Sequence, residues 1–118
     1  MTGDAIFVQG HSHTICQDYA IAEVAKYMSQ DYGAAIVCDG CSASPKSEVG
    51  ASILAHTFLA AYRHNRHGDI YSKFEGNDRL FQTFVKMRVL KSVRTIMRET
   101  DLSDNAFDAT IVAAISDP

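Results

Sequence analysis

The spacing of hydrophobic and polar positions divides the chain into strand-like and helix-like stretches. Residues 5–9 (Ala-Ile-Phe-Val-Gln) and 18–25 (Asp-Tyr-Ala-Ile-Ala-Glu-Val-Ala) are short apolar-rich runs that predict two strands. A polar turn, "KYMSQDYG", leads to "AAIVC" at 34–38, bounded by Gly33 and Gly40. A short continuous apolar run of this kind suits a strand covered on both faces. Beyond it the period lengthens. Val49, Ile53, Leu54, Thr57, Phe58, Ala61 and Tyr62 fall three and four residues apart, which predicts a helix to about residue 64. Ser44 can cap it, with Pro45 at the first helical position, where a missing N–H is harmless.

Residues 64–78 are polar and glycine-punctuated, a loop, and Asn77 or Asp78 can cap a second helix over 79–99. Leu80, Phe81, Phe84, Val85, Val89, Val93, Ile96 and Met97 supply its apolar positions. Lys86, Arg88, Lys91, Arg94 and Arg98 read as its solvated face. "DLSDNAFD" is a turn and "ATIVAAI", 109–115, a last strand. The order strand, strand, strand, helix, helix, strand predicts an α+β fold, a mostly antiparallel sheet with two long helices on one face. Four such strands leave the other sheet face bare, to be covered by something further or by a second copy of the chain.

Composition narrows the classes. With 118 residues, 47% hydrophobic and 21% charged, the chain reads as one domain's worth, or part of a larger one, with a real core. A net charge of −3 without blocks of like charge argues against a nucleic-acid partner. No run is long enough for a membrane span, and the N-terminus lacks the pattern of a signal peptide. Three cysteines, an odd number, read as reduced thiols of a cytoplasmic protein rather than a disulfide framework.

Chemistry concentrates around "IVCDGC". Asp18 opens the second predicted strand and Asp39 closes the third, so a hairpin of the two brings both carboxylates to one sheet edge. Two close carboxylates repel unless a proton or cation lies between them. Together with the Gly40 carbonyl they form part of an oxygen shell for Mg²⁺ or Mn²⁺. Read structurally, Asp39-Gly40 is simply a turn and Asp18 a strand-end cap. His11, His13, Cys16, Cys38 and Cys41 offer a competing zinc-binding structural module, although the alternation in "AAIVC" aims Cys38 into the core. Cys16 and Cys41 have upstream histidines but no pattern that makes either a nucleophile. His56, His64 and His67 read as surface residues.

Taken together, "GHSHTICQDYA", "AAIVCDGCSASPKSEVGA" and "FDATIVAAI" resemble the metal-dependent protein phosphatases of the type 2C serine/threonine class. The likeness is to members with Gln-Asp where others have Glu-Asp, and it spans nearly the whole chain as the N-terminal part of that fold. It implies a β-sandwich flanked by helix pairs, of which residues 1–118 form one incomplete domain. It also implies a two-metal Mg²⁺ or Mn²⁺ centre between the sheets. Asp18 then matches an acidic position of the centre, Asp39 the metal-bridging aspartate, and Gly40 the glycine whose carbonyl contacts a metal. Thr110 matches a strand-opening threonine, and Asp108 replaces a small residue. The resemblance implies hydrolysis of phosphoserine and phosphothreonine proteins, with two cations polarising the phosphoryl group and activating a bridging water. The later aspartates of the family have no counterpart before Pro118, so weak metal affinity and low or no turnover are expected. The family's phosphate-gripping arginine is missing as well, and His11 or His13 can stand in as phosphate donors. The alternative is a non-catalytic binding or oligomerising module on the same fold.

Overall fold

A computed structural model describes residues 2–6, 8–9, 11, 14–27, 29–66 and 77–116. Three antiparallel strands form the sheet in the order β1-β2-β3: β1 Tyr19–Tyr27, β2 Gln30–Gly40 and β3 Ala109–Ser116. Between β2 and β3 the chain forms two helices, α1 Ser47–Arg66 and α2 Asp78–Glu99, and a short 3₁₀ turn, Asp104–Phe107. This is the predicted α+β architecture, in keeping with part of the expected sandwich.

The hairpin of β1 and β2 is longer than the apolar runs suggest. Tyr27 pairs with Gln30, so both strands run through the polar stretch and close over two residues, with Ser29 at a φ of 69°. The strand expected at 5–9 does not form among the described residues. Ile6 and Val8 are largely exposed, while Gly3 lies close to the side chains of Val24 and Ala22 on β1. Phe7 lies outside the described residues.

Alternation along β2 sets the two faces of the sheet. Ala34, Ile36 and Cys38 are buried while Ala35, Val37 and Asp39 are exposed. The buried set packs on α1 through Ala51, Leu54, Ala55, Leu59 and Tyr62. Small residues on both surfaces allow the helix to lie close, and Tyr62 reaches over to donate to the Gly33 carbonyl at 3.5 Å. α2 packs beside α1 and completes the core with Val85, Val89 and Val93. It diverges from β3, leaving a wide apolar groove of about 990 Å³ lined by Phe58, Phe81, Phe107, Ile111 and Ile115 among others.

Asn77 caps α2 as expected, its side chain accepting from the Leu80 N–H at 3.2 Å. α1 starts later than predicted. Ser44 closes a turn on the Cys41 carbonyl, and its hydroxyl donates to Asp108 at 2.8 Å instead of capping the helix. Lys46, at a φ of 62°, offers the carbonyl that receives the N–H groups of Val49 and Gly50. Pro45 therefore sits in the turn, and Ser47 is the first helical residue.

The 3₁₀ turn has a distinct task. Gly50 on α1 faces it so closely that a Cβ there would lie 1.6 Å from the Ala106 carbonyl oxygen. Backbone meets backbone at this point, and Ala106 is buried beneath it. The contact sets where the chain enters β3.

Candidate metal centre

The strand ends come together as the hairpin reading requires. Tyr19 pairs with Cys38, so continuing the register by one residue sets Asp18 beside Asp39. On the other side Asp39 pairs with Thr110 and Gly40 with Ala109. Cross-strand partners share a face. Asp39 and Thr110 are therefore at the end of the open face, continuous with Val37 and Val112. Asp18 and Asp39 line one cleft of about 390 Å³, together with Ile15, Cys16, Gln17, Gly40 and Cys41.

Alternation separates Asp39 from its neighbour Cys38. The Cys38 thiol is wholly buried against the helices, and burial pushes its pKa up to about 11. It is a neutral packing group, turned away from the cleft that Asp39 lines. Cys41 is exposed and Cys16 half-buried; all three cysteines are free thiols. The C-x-x-C spacing thus places one sulfur in the core and one on the surface, an arrangement that cannot form half of a zinc site. Among the described residues no three His, Cys, Asp or Glu side chains converge to hold a metal ion.

Other described candidates do not line the cleft. His11 is exposed in the turn before β1 and is not among the residues lining the cleft. His13 lies outside the described residues, as does His67. His56 is exposed, yet its ring nitrogen lies 3.0 Å from the Tyr19 hydroxyl. The Asp108 carboxylate is held by Ser44, and its backbone carbonyl accepts the Cys41 N–H at 2.8 Å.

Two residues that lie in the family-like motifs, but whose pairing the sequence does not show, bind this corner together. Ser47 is fully buried, and its hydroxyl donates to the Cys41 carbonyl at 2.8 Å. The Gln17 side-chain amide donates to the Ser47 hydroxyl at 2.9 Å and lies 3.4 Å from the same carbonyl. Gly40 makes room for this: a Cβ there would sit 2.5 Å from the Gln17 carbonyl oxygen and 3.1 Å from that of Ser47. Thirty residues separate Gln17 from Ser47, so only the folded chain joins them.

A family model described as protein phosphatase 2C matches residues 9–118, from just before the first acidic motif through β3. The chain belongs to the protein phosphatase 2C family. No curated protein and no solved structure matches it at a significant level. Membership accounts for the arrangement of the motifs: the "QD" and "CDG" segments sit at adjacent strand ends, and "SEVGA" opens the helix that covers the sheet. No helix among the described residues is long and apolar enough to cross a membrane.

The cleft carries the two carboxylates of Asp18 and Asp39 and the Gly40 backbone, with the Cys16 and Cys41 residues also on its wall. Its oxygen donors fit a hard divalent cation of the Mg²⁺ or Mn²⁺ kind, the metals on which protein phosphatase 2C members generally depend, as part of its shell.

Proposed function

We propose that this chain is part of a serine/threonine phosphoprotein phosphatase in which Asp18, Asp39 and the Gly40 carbonyl hold Mg²⁺ or Mn²⁺. The observation that carries the reading is the register: it sets two carboxylates side by side at one end of the open sheet face, in a cleft, in a protein phosphatase 2C chain. When bound, the cation supplies Lewis acidity toward a phosphoryl oxygen and activates water for attack. The residues present hold and orient that cation. β1 and β2 fix the spacing of the carboxylates through backbone pairing, which costs no side-chain entropy at the site. Two carboxylates and a carbonyl form only part of a six-oxygen shell. The expected binding is correspondingly weak and the expected turnover slow.

His11 and His13 remain proposed as phosphate donors ahead of β1, and the proposed compartment is the cytoplasm. The test is direct. Mn²⁺ titrated into the 118-residue chain should broaden the amide signals of Asp18, Asp39 and Gly40 first, and Asp39→Asn should abolish the effect. Hydrolysis of an aryl phosphate and of a phosphoserine peptide should be slow and Mn²⁺-dependent, and should stop on adding EDTA.

A second reading draws on the exposed apolar side chains of the open face, Val37 and Val112, which are 50% and 70% exposed. In it the chain is a non-catalytic binding or self-associating module. A stable dimer in light scattering, with neither Mn²⁺ broadening nor Mn²⁺-dependent hydrolysis, would decide for that module and against the phosphatase.

A further inference from the structure

We infer that Gln17 is a positioning residue, which sets the placement of the Asp18 and Asp39 carboxylates through the buried Ser47 hydroxyl. The inference rests on the metal-centre reading and extends it to two residues outside the proposed ligand set.

The backbone of Cys41 is the keystone. Its N–H is taken by the Asp108 carbonyl at 2.8 Å. Its C=O receives the Ser47 hydroxyl at 2.8 Å, with the Gln17 amide at 3.4 Å. The turn that follows Asp39 is thereby held on both sides of Cys41, through the N–H of one peptide unit and the C=O of the next. Gln17 links it back to β1, because the same amide donates to Ser47 at 2.9 Å. Gln17 directly precedes Asp18, and Cys41 lies two residues after Asp39. A displacement of the Gln17–Ser47 bridge therefore moves one carboxylate relative to the other.

Chemistry selects an amide for this place. Ser47 has a single hydroxyl proton, which goes to the Cys41 carbonyl, so its partner must be a donor. The Gln17 amide supplies two N–H groups and serves both the hydroxyl and the carbonyl. A carboxylate at position 17 supplies none and would compete for the Ser47 proton. Groups that orient metal ligands from behind commonly change metal affinity by about 10–100-fold when they are removed.

The experiment compares the wild-type chain with Gln17→Met, which keeps length and bulk but removes both donors. Two readouts are taken on each. The first is the metal-free amide spectrum, where Gln17→Met should shift Gly40 and Cys41 and leave the core amides of Tyr62 and Val89 in place. The second is Mn²⁺ titration, where the apparent dissociation constant should rise about tenfold or more. Ser47→Ala serves as a second variant and should move the same two amides, so a Gln17→Met chain that failed to fold would leave the inference testable. If Gly40 and Cys41 stay put and Mn²⁺ broadens both chains equally, the positioning role is overturned. If those amides move but the wild type ignores Mn²⁺, the bridge stands and the metal-centre reading falls instead.

Discussion

Cys38 and Asp39 are neighbours in sequence, yet one belongs to a sealed face of the sheet and the other to an open one. On the sealed side Ala34, Ile36 and Cys38 meet α1 with almost no exposed surface. On the open side Ala35, Val37 and Asp39 continue across to Val112 and Thr110. Because side chains alternate along a strand, a slip of one residue would exchange the two sets entirely. The register that buries Ile36 is therefore the register that delivers Asp39 to the cleft. The chemistry of the open face is positioned by the packing of the closed one. Changes to the two faces should accordingly have opposite profiles, large in stability on one side and large in metal binding on the other.

The hardest test of the closed side is Gly50→Ala. The new methyl would occupy the place of the Ala106 carbonyl, with the Ala106 carbonyl carbon at 2.5 Å and the Phe107 nitrogen at 3.1 Å. These are backbone atoms and cannot rotate aside, so α1 and the 3₁₀ turn must part. A loss of about 4 kcal/mol, or failure to fold, is expected in guanidinium denaturation. A variant of near wild-type stability would show that the entry to β3 is not set by this contact.

Next in size is a pair of truncations one residue apart. Ile36→Ala, at a position 1% exposed, should cost about 2–5 kcal/mol through lost burial and the cavity left beneath α1. Val37→Ala, on the half-exposed open face, should stay within about 0.5 kcal/mol of wild type. Equal losses would mean that the open face is also packed in solution, and would support its coverage by a second copy.

How much of this was legible in the sequence follows from which interactions are local. The period of α2 and the Asn77 cap are written within a few residues, and the structure places both as expected. The hairpin that joins Asp18 to Asp39 was legible because its two halves are adjacent in sequence. Cys38 was legible through alternation alone. The start of α1 was not, because Ser44 looks like a cap until Asp108, sixty-four residues on, takes its hydroxyl. The run at 5–9 has the composition of a strand but finds no pairing partner among the described residues. The Gln17–Ser47 bridge and the close approach at Gly50 are products of tertiary contact. Only an odd detail, a glycine in the first turn of a helix where it weakens the helix, hints at the second.

Alkaline pH offers a smaller and more selective probe of the closed face. Burial raises the Cys38 thiol to about 11 from an ordinary value of 9.0. Between those values the unfolded chain has lost the thiol proton while the native protein retains it. Stability from this group is thus complete below about pH 9 and is lost as pH rises toward 11, by roughly 2–3 kcal/mol at most. Cys38→Ala removes the group, so the difference in stability between the two proteins should narrow across that window. A constant difference would show that the thiol is accessible to solvent. Alkylation gives a parallel check: below pH 9 iodoacetamide should label Cys41 and Cys16 in the native protein and leave Cys38 untouched.

The smallest stability effect is the most informative about the open face. Asp39→Asn keeps shape and removes one of two carboxylates that line the same cleft. Asp39 is exposed, so without metal the substitution should leave stability within about 0.5 kcal/mol of wild type. The backbone pairing of Asp39 with Thr110 is untouched by the change. In saturating Mn²⁺ the variant should become the less stable of the two, because the wild type gains binding energy that the variant lacks. The measurement is therefore a pair of guanidinium curves for each protein, with Mn²⁺ and with EDTA. A loss of more than about 1 kcal/mol in EDTA would assign Asp39 a structural role in closing the β2 turn. Destabilisation that appears only with the metal would leave the open face with the role the register suggests: two acids brought to one cleft, where a cation binds them.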